Sequence, residues 1–225
     1  MKRTLILLTI ATLILSGCGS SVKVTSSWKS QPETVQKFKE KNVLVIARTA
    51  DTQARTAFEI EIANALNERG IKSTESYKKV PRLNPQQEVT EERVKMVLDM
   101  IQSEGFDAIV LTTVKDKQQT VQTSTSGVGV GVGYGAYPGY YGGFGSYYRY
   151  PYAYGPYYST GAYIPTGSTT TTYTTYVLET VGYNLDEAEE DQLVFVVTSE
   201  LSDPKNAYKT AEKYVAKVTE ALQDK

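Results

Sequence analysis

Histidine is absent from the 225 residues of this chain. That removes the commonest general acid–base, the usual nucleophile–histidine–acid triads and most zinc-ligand sets together. Cysteine occurs once, as Cys18, so no disulfide framework can be drawn and the fold must rest on its core. Excess charge is also missing. Lys and Arg number 24 against 25 Asp and Glu, a formal charge of -1, so nothing points to nucleic acid as a partner. Long apolar runs are scarce: no segment reaches the ~20 residues of a helical membrane span.

The chain opens with MKRTLILLTIATLILSGC. Lys2 and Arg3 make a short positive region, and Leu5 to Leu15 is an apolar stretch of signal-peptide length. It ends in Leu15-Ser16-Gly17-Cys18, which resembles the lipobox of bacterial lipoproteins. An ordinary secretory signal with a chance cysteine, or an uncleaved anchor, is the competing reading. The resemblance implies that residues 1–17 are removed and that Cys18 carries the lipid, palmitate included, as the first residue of the mature protein. Each buried methylene contributes ~0.8 kcal/mol, so a multiply acylated cysteine holds a protein on a membrane without a spanning helix. Gly19 stands where an aspartate would imply inner-membrane retention. The expectation is therefore a cell-envelope protein, lipid-anchored in the outer membrane and facing the periplasm.

Residues 18–40 are polar, with a single Trp28, and read as a tether from lipid to domain. Trp28 either docks on the domain or rests at the membrane interface. Residues 41–225 read as one α/β domain. Asn42 to Ala47 is a buried strand. Asp51 caps a helix with Ala54, Phe58, Ile62 and Leu66 on one face and Gly70 at its end. Ile71 to Tyr77 is a weak second strand. Thr90 caps a helix buried through Val94, Val97, Leu98 and Ile101 and ended by Gly105. Ala108 to Leu111 is the third strand. This β-α-β-α-β unit demands a parallel sheet with right-handed crossovers. Its pattern over Asn42 to Val114 resembles the N-terminal domain of TolB. Further on, Thr172 to Asn184 and Gln192 to Leu201 read as an antiparallel hairpin around the acidic run Asp186 to Asp191. Asp203-Pro204 is expected to cap a last helix with Ala207, Ala211, Val215, Val218 and Leu222 inward. The fold class is α/β with one mixed sheet.

A Gly/Tyr-rich insertion of about residues 118–171 separates the two halves. Twelve of the 18 tyrosines lie between Tyr134 and Tyr163. Tyr140, Tyr141, Tyr147, Tyr148, Tyr150, Tyr152, Tyr154, Tyr157 and Tyr158 are the candidate interaction residues, because tyrosine is a rigid amphipathic contact group. Three readings of the insertion stay open. It is a flexible binding loop; or Gly127 to Gly133 pairs with the Thr-rich Ser168 to Thr175 as a projecting hairpin arm; or that arm enters a membrane in an oligomeric barrel. The alternating glycines lack the following helix that a dinucleotide fingerprint needs.

No catalytic site, cofactor or metal set is legible. Glu59/Glu61 reads as a solvated helix face and Glu91/Glu92 as a favourable helix start. Glu187, Glu189, Glu190 and Asp191 lack the spacing of a calcium loop. Ser26 to Lys29, the lipobox, the small α/β domain and the Thr/Tyr-rich strand after the insertion together resemble uncharacterised envelope lipoproteins. That resemblance implies a non-catalytic structural or interaction role. Its partners would be the membrane through Cys18 and an envelope protein, peptidoglycan or another copy of the chain. The alternative is an assembly or secretion component whose hairpin arms form a pore.

Overall fold

The computed structural model describes residues 21–79, 90–123, 143–149 and 170–223. The signal segment, Cys18 and the Gly/Val repeat lie outside them. The elements are β1 (Ser21–Lys29), α1 (Pro32–Lys39), β2 (Val43–Arg48), α2 (Thr52–Asn67), β3 (Ser73–Glu75), α3 (Glu91–Ser103), β4 (Ala108–Thr123), α4 (Phe144–Arg149), β5 (Thr170–Asn184), β6 (Leu193–Ser202) and α5 (Ala207–Gln223). A single 3-10 turn, Ser76–Lys78, follows β3.

The six strands form one mixed sheet in the order β1-β6-β5-β4-β2-β3. Strands β2, β3 and β4 run parallel, as the alternation of strands and helices requires, and along β4, β5, β6 and β1 each strand is antiparallel to its neighbour. The α/β class, the parallel unit, the added hairpin and the closing helix all stand as read from the sequence. The local signals act where expected. The Asp51 carboxylate accepts from the N–H groups of Gln53 and Ala54, and Thr90 accepts from that of Arg93. Gly70 and Gly105 follow their helices at φ +77° and +79°, a region that a side chain disfavours.

Helices cover both faces. On one face α3 and α4 pack Val97, Ile101, Phe144, Tyr147 and Tyr148 onto Leu44, Ile109, Leu111, Val181 and Val196. On the other, α1, α2 and α5 bury Phe38, Phe58, Ile62, Tyr214 and Val218 against Val43, Val45, Val110, Leu178 and Val197. This apolar burial is the principal stabilising term of the fold.

Three expectations need correction. Ser21 to Lys29, read as part of a tether, is the edge strand β1, paired antiparallel with β6 from Ser21↔Ser202 to Lys29↔Phe195. Pro32–Lys39 is a helix that buries Phe38. Its few apolar side chains divide between the two faces, Val22 and Val24 toward one core and Trp28 toward the other, and the rest of this edge strand is polar and Lys-bearing, so its sequence mimics a linker. Trp28 packs against the α3/α4-side core, which is the docked alternative. Secondly, Asp203-Pro204 does not cap α5. Asp203 sits at φ +48° with its N–H given to the Thr174 carbonyl (2.8 Å), and Asn206 caps instead, accepting from Lys209 N–H at 3.0 Å. Thirdly, the Thr-rich segment does pair as an extended arm, but with the end of β4: Thr120↔Tyr173 and Thr123↔Thr170.

Candidate functional site

The insertion returns to the domain in its middle. Helix α4 lies on the sheet face beside α3, with Phe144 and Tyr147 fully buried and Tyr148 nearly so. The Phe144 ring stands 5.4 Å from that of Tyr148 and 5.9 Å from that of Tyr183. Gly145 permits the contact with α3, since a Cβ there would lie 3.2 Å from Val94 Cγ1. Arg48, at the end of β2, donates to the Tyr148 carbonyl (2.5 Å) and holds its guanidinium 5.4 Å from the centre of that ring. Burial pushes the Tyr148 hydroxyl above the usual tyrosine range, against the opposing pull of Arg48 and of Arg93 and Arg55.

A polar lock lies beneath α4. Glu179 of β5 and Lys115 of β4 have side chains only 4% and 5% exposed, with Nζ 3.2 Å from Oε1. The Tyr147 hydroxyl donates to the same carboxylate oxygen. Lys115 Nζ is also 5.1 Å from the centre of the Tyr147 ring. Burial lowers the Lys115 pKa, and the Glu179 charge partly restores it. Two strands and the insertion thus meet at one charge-assisted contact. Among the predicted interaction residues, Tyr147 and Tyr148 are therefore core residues, unavailable to a partner. Tyr140, Tyr141, Tyr150, Tyr152, Tyr154, Tyr157 and Tyr158, and Cys18, lie outside the described residues.

A second buried carboxylate corrects the reading of Glu59 as solvated. Strand β3 stops at Glu75, so the edge of β2 past Val45 loses its neighbour. The Glu59 side chain, fully buried, fills that role. Its Oε1 accepts from Ala47 N–H (3.1 Å), Arg55 Nε (2.9 Å) and Ser76 Oγ (2.8 Å), and its Oε2 accepts from Tyr77 N–H (2.7 Å). A carboxylate so saturated with donors is a structural bracket. Glu59, Lys115 and Glu179 were missed as sites. For Glu179 the available signal was a lone charge within an apolar strand run, whereas Lys115 opens the charged run Lys115-Asp116-Lys117 and carried no such signal.

Two of the cavities among the described residues bear on the site. One of about 430 Å³ lies among α1, α2, α5 and β6, lined by apolar groups such as Phe38, Ile62, Phe195 and Val218, with Lys29, Lys39 and Arg69 among its residues. The other, about 280 Å³, opens at the end of β2 beside the middle of β4, between Arg48, Asp51, Tyr176 and Lys205. Neither is lined by Lys115, Glu179 or Glu59. Among the described residues no group of three or more His, Cys, Asp or Glu side chains could hold a metal ion. At the acidic hairpin tip, Asp186 and Glu187 instead pair with Lys41 (2.5 Å) and Lys37 (2.8 Å).

The feature that distinguishes the fold is the β4–β5 arm. Strand β2 accompanies β4 only to Thr113, and β6 accompanies β5 only from Thr175 on. Beyond those points Gln119–Thr123 and residues 170–174 are a two-stranded ribbon, held at its base by the Asp203–Thr174 bond. From Thr175 to Thr170 the ribbon rises five residues, about 17 Å at the usual strand pitch. The described ribbon is rich in Gln and Thr, and Tyr173 on it is 40% exposed.

No protein-family model matches the chain, and no curated protein matches it. Among solved structures it is similar to a PelC dodecamer from Paraburkholderia phytofirmans, at 13% identity and a TM-score of 0.41, over 91% of this chain and 97% of that one. It is also similar to a DUF4136 family protein from Bacteroides thetaiotaomicron, at 12% identity and a TM-score of 0.31, over 92% of this chain and 96% of that one.

Proposed function

We propose that this chain is a non-catalytic, lipid-anchored envelope lipoprotein that acts through its Gly/Tyr-rich insertion. Cys18 carries the anchor, in the outer membrane with the domain on the periplasmic side. The observation that supports the reading is the way the insertion is mounted. It leaves the sheet on a two-stranded arm and is pinned at its middle by Phe144, Tyr147 and Tyr148. A fixed mounting of this kind lowers the ordering cost of contacts made by the residues on either side of the pin. The tyrosines available for contact are then Tyr140, Tyr141, Tyr150, Tyr152, Tyr154, Tyr157 and Tyr158. They suit a protein surface, a glycan or a second copy of the chain.

The pin changes the appropriate experiment. Removing residues 128–163 would remove Phe144 and Tyr147 from the core as well. Replacing the seven other tyrosines by serine keeps Phe144, Tyr147 and Tyr148 in place. Photo-crosslinking in cells from a probe at Tyr154 should yield one dominant adduct, lost in the seven-serine variant at unchanged melting temperature. Adducts spread over unrelated envelope proteins, or unchanged by the serines, would remove the binding role. Labelling with an alkyne analogue of palmitate tests the anchor: label and membrane retention should disappear together in Cys18→Ala.

A further inference from the structure

The register of the sheet brings the anchor and the arm to the same end of the molecule. Ser21 lies opposite Ser202, Ser202 opposite Thr175, and Thr175 opposite Gln118. These four residues stand at one level across four adjacent strands. Above that level rises the arm; below it the sheet runs down to the β5–β6 hairpin tip. Helix α5 starts at this same end, because its far end returns to the base of the sheet, where the Leu222 carbonyl accepts from Lys29 Nζ at 2.8 Å.

Only Gly19 and Ser20 separate Cys18 from Ser21. Three peptide steps span at most about 11 Å. The arm rises about 17 Å from the same level, as given above. A lipid anchor on Cys18 therefore reaches no farther from the sheet than the arm does. An arm pointing at the membrane from this end overlaps the headgroup layer, which is roughly 5–7 Å thick in each leaflet.

We infer that the β4–β5 arm and the first turn of α5 form a membrane-contact surface, seated in the headgroup layer of the bilayer that holds the Cys18 acyl chains. The side chains present fit a polar–apolar boundary. Three large apolar or aromatic side chains stand exposed among the described residues: Met96 on α3 (56%), Tyr208 on the first turn of α5 (49%) and Tyr173 on the arm (40%), and the two tyrosines lie at this end. Tyrosine is the residue that settles at headgroup level, ring inward and hydroxyl in the wet layer. The ribbon sequence is largely Gln and Thr and lacks the apolar alternation of a spanning strand. The domain is thereby held at a set angle, with the acidic hairpin tip turned away, about 30 Å or more from the arm base.

This inference rests on the lipidation of Cys18 proposed above, and the test separates the two. The full acylated chain is purified in three versions, Tyr173→Cys, Tyr208→Cys and Glu190→Cys. Each is labelled with a thiol-reactive fluorophore and bound to vesicles of phosphatidylethanolamine and phosphatidylglycerol. Some vesicles carry a nitroxide on the headgroup. The parent chain should take no label, because its only thiol, that of Cys18, is blocked by the lipid, and it should float with the vesicles. Positions 173 and 208 should be quenched several-fold more than position 190. Labelling of the parent without flotation overturns the anchor, and the membrane surface with it. Flotation with equal quenching at all three positions, or more at 190, leaves the anchor standing and overturns the surface. Quenching absent at 173 in the labelled chain, together with 173–173 disulfides when the unlabelled Tyr173→Cys chain is oxidised in air, would assign the arm to a second copy instead.

Discussion

At the scale of single residues, the buried charges decide most. Glu59 satisfies two backbone N–H groups, one hydroxyl and one guanidinium in a site closed to water. Removing it strands those donors and leaves Arg55, whose side chain is 11% exposed, without its carboxylate. Glu59→Ala should therefore destabilise the fold by about 3 kcal/mol or more, read as a lower urea midpoint at unchanged slope. The neighbouring Glu61→Ala should cost under about 0.5 kcal/mol, as surface substitutions do.

Titration follows from burial in the same way. Tyr214 and Tyr148 both have hydroxyls raised above the ordinary value of 10.0, chiefly by desolvation; Thr180 and Ser199 oppose this at Tyr214, and the arginines at Tyr148. An acid whose native pKa exceeds its unfolded one keeps its proton in the native state while the unfolded chain loses it. Above pH 10 the native state binds more protons, so stability falls as pH rises. Lys115 has the opposite sign. Its lowered native pKa adds stability as pH climbs toward the unfolded value of 10.5. The two tyrosines continue beyond that point, so the melting temperature should drop steeply above pH 10.5. Tyrosinate absorbance should show a late fraction that appears only with unfolding. In Tyr214→Phe the slope should be shallower, although the loss of the bond to Thr180 lowers stability at neutral pH.

At the scale of elements, α4 carries the argument. A six-residue helix has no stability of its own. It exists because Phe144, Tyr147 and Tyr148 are worth more in the core than in water. Phe144→Ala should cost about 3–5 kcal/mol, as other buried aromatic truncations do. Tyr147→Phe keeps the ring and removes one donor to Glu179, for about 1–3 kcal/mol. Both are checked by chemical denaturation. A loop free of the domain would show neither effect. Strand β1 makes a related point. Val22 and Val24 alternate with exposed residues, a pattern too weak to identify a strand until β6 is there to pair with it. Partner strands also decide where the arm begins, since nothing within β4 marks Thr113 as the last residue flanked on both sides.

At the scale of the whole molecule, the sheet register turns the proposed lipidation of Cys18 into an orientation. A lipidated Cys18 says only that the protein is held. Pairing Ser21 level with Thr175 says which end is held, and that the arm leaves from that end. The long tether implied by a polar N-terminal segment would allow any orientation, whereas two residues between Cys18 and an edge strand allow few.

The sequence by itself determined the α/β class, the parallel unit, the hairpin and the caps at Asp51 and Thr90. Those depend on periodicity and on hydrogen bonds between near neighbours, which local order encodes. Only the tertiary structure decided that β1 is a strand, that Glu59 is a buried bracket and that Tyr147 and Tyr148 face inward. Glu59 lies one position from Phe58 on the edge of an apolar stripe, and only the early end of β3 turns that edge into a closed site. Tyr147 and Tyr148 share their composition with tyrosines all around them. What singles them out is contact with Lys115, Glu179 and Arg48, some thirty to a hundred positions away, and such contact exists only once the sheet has formed.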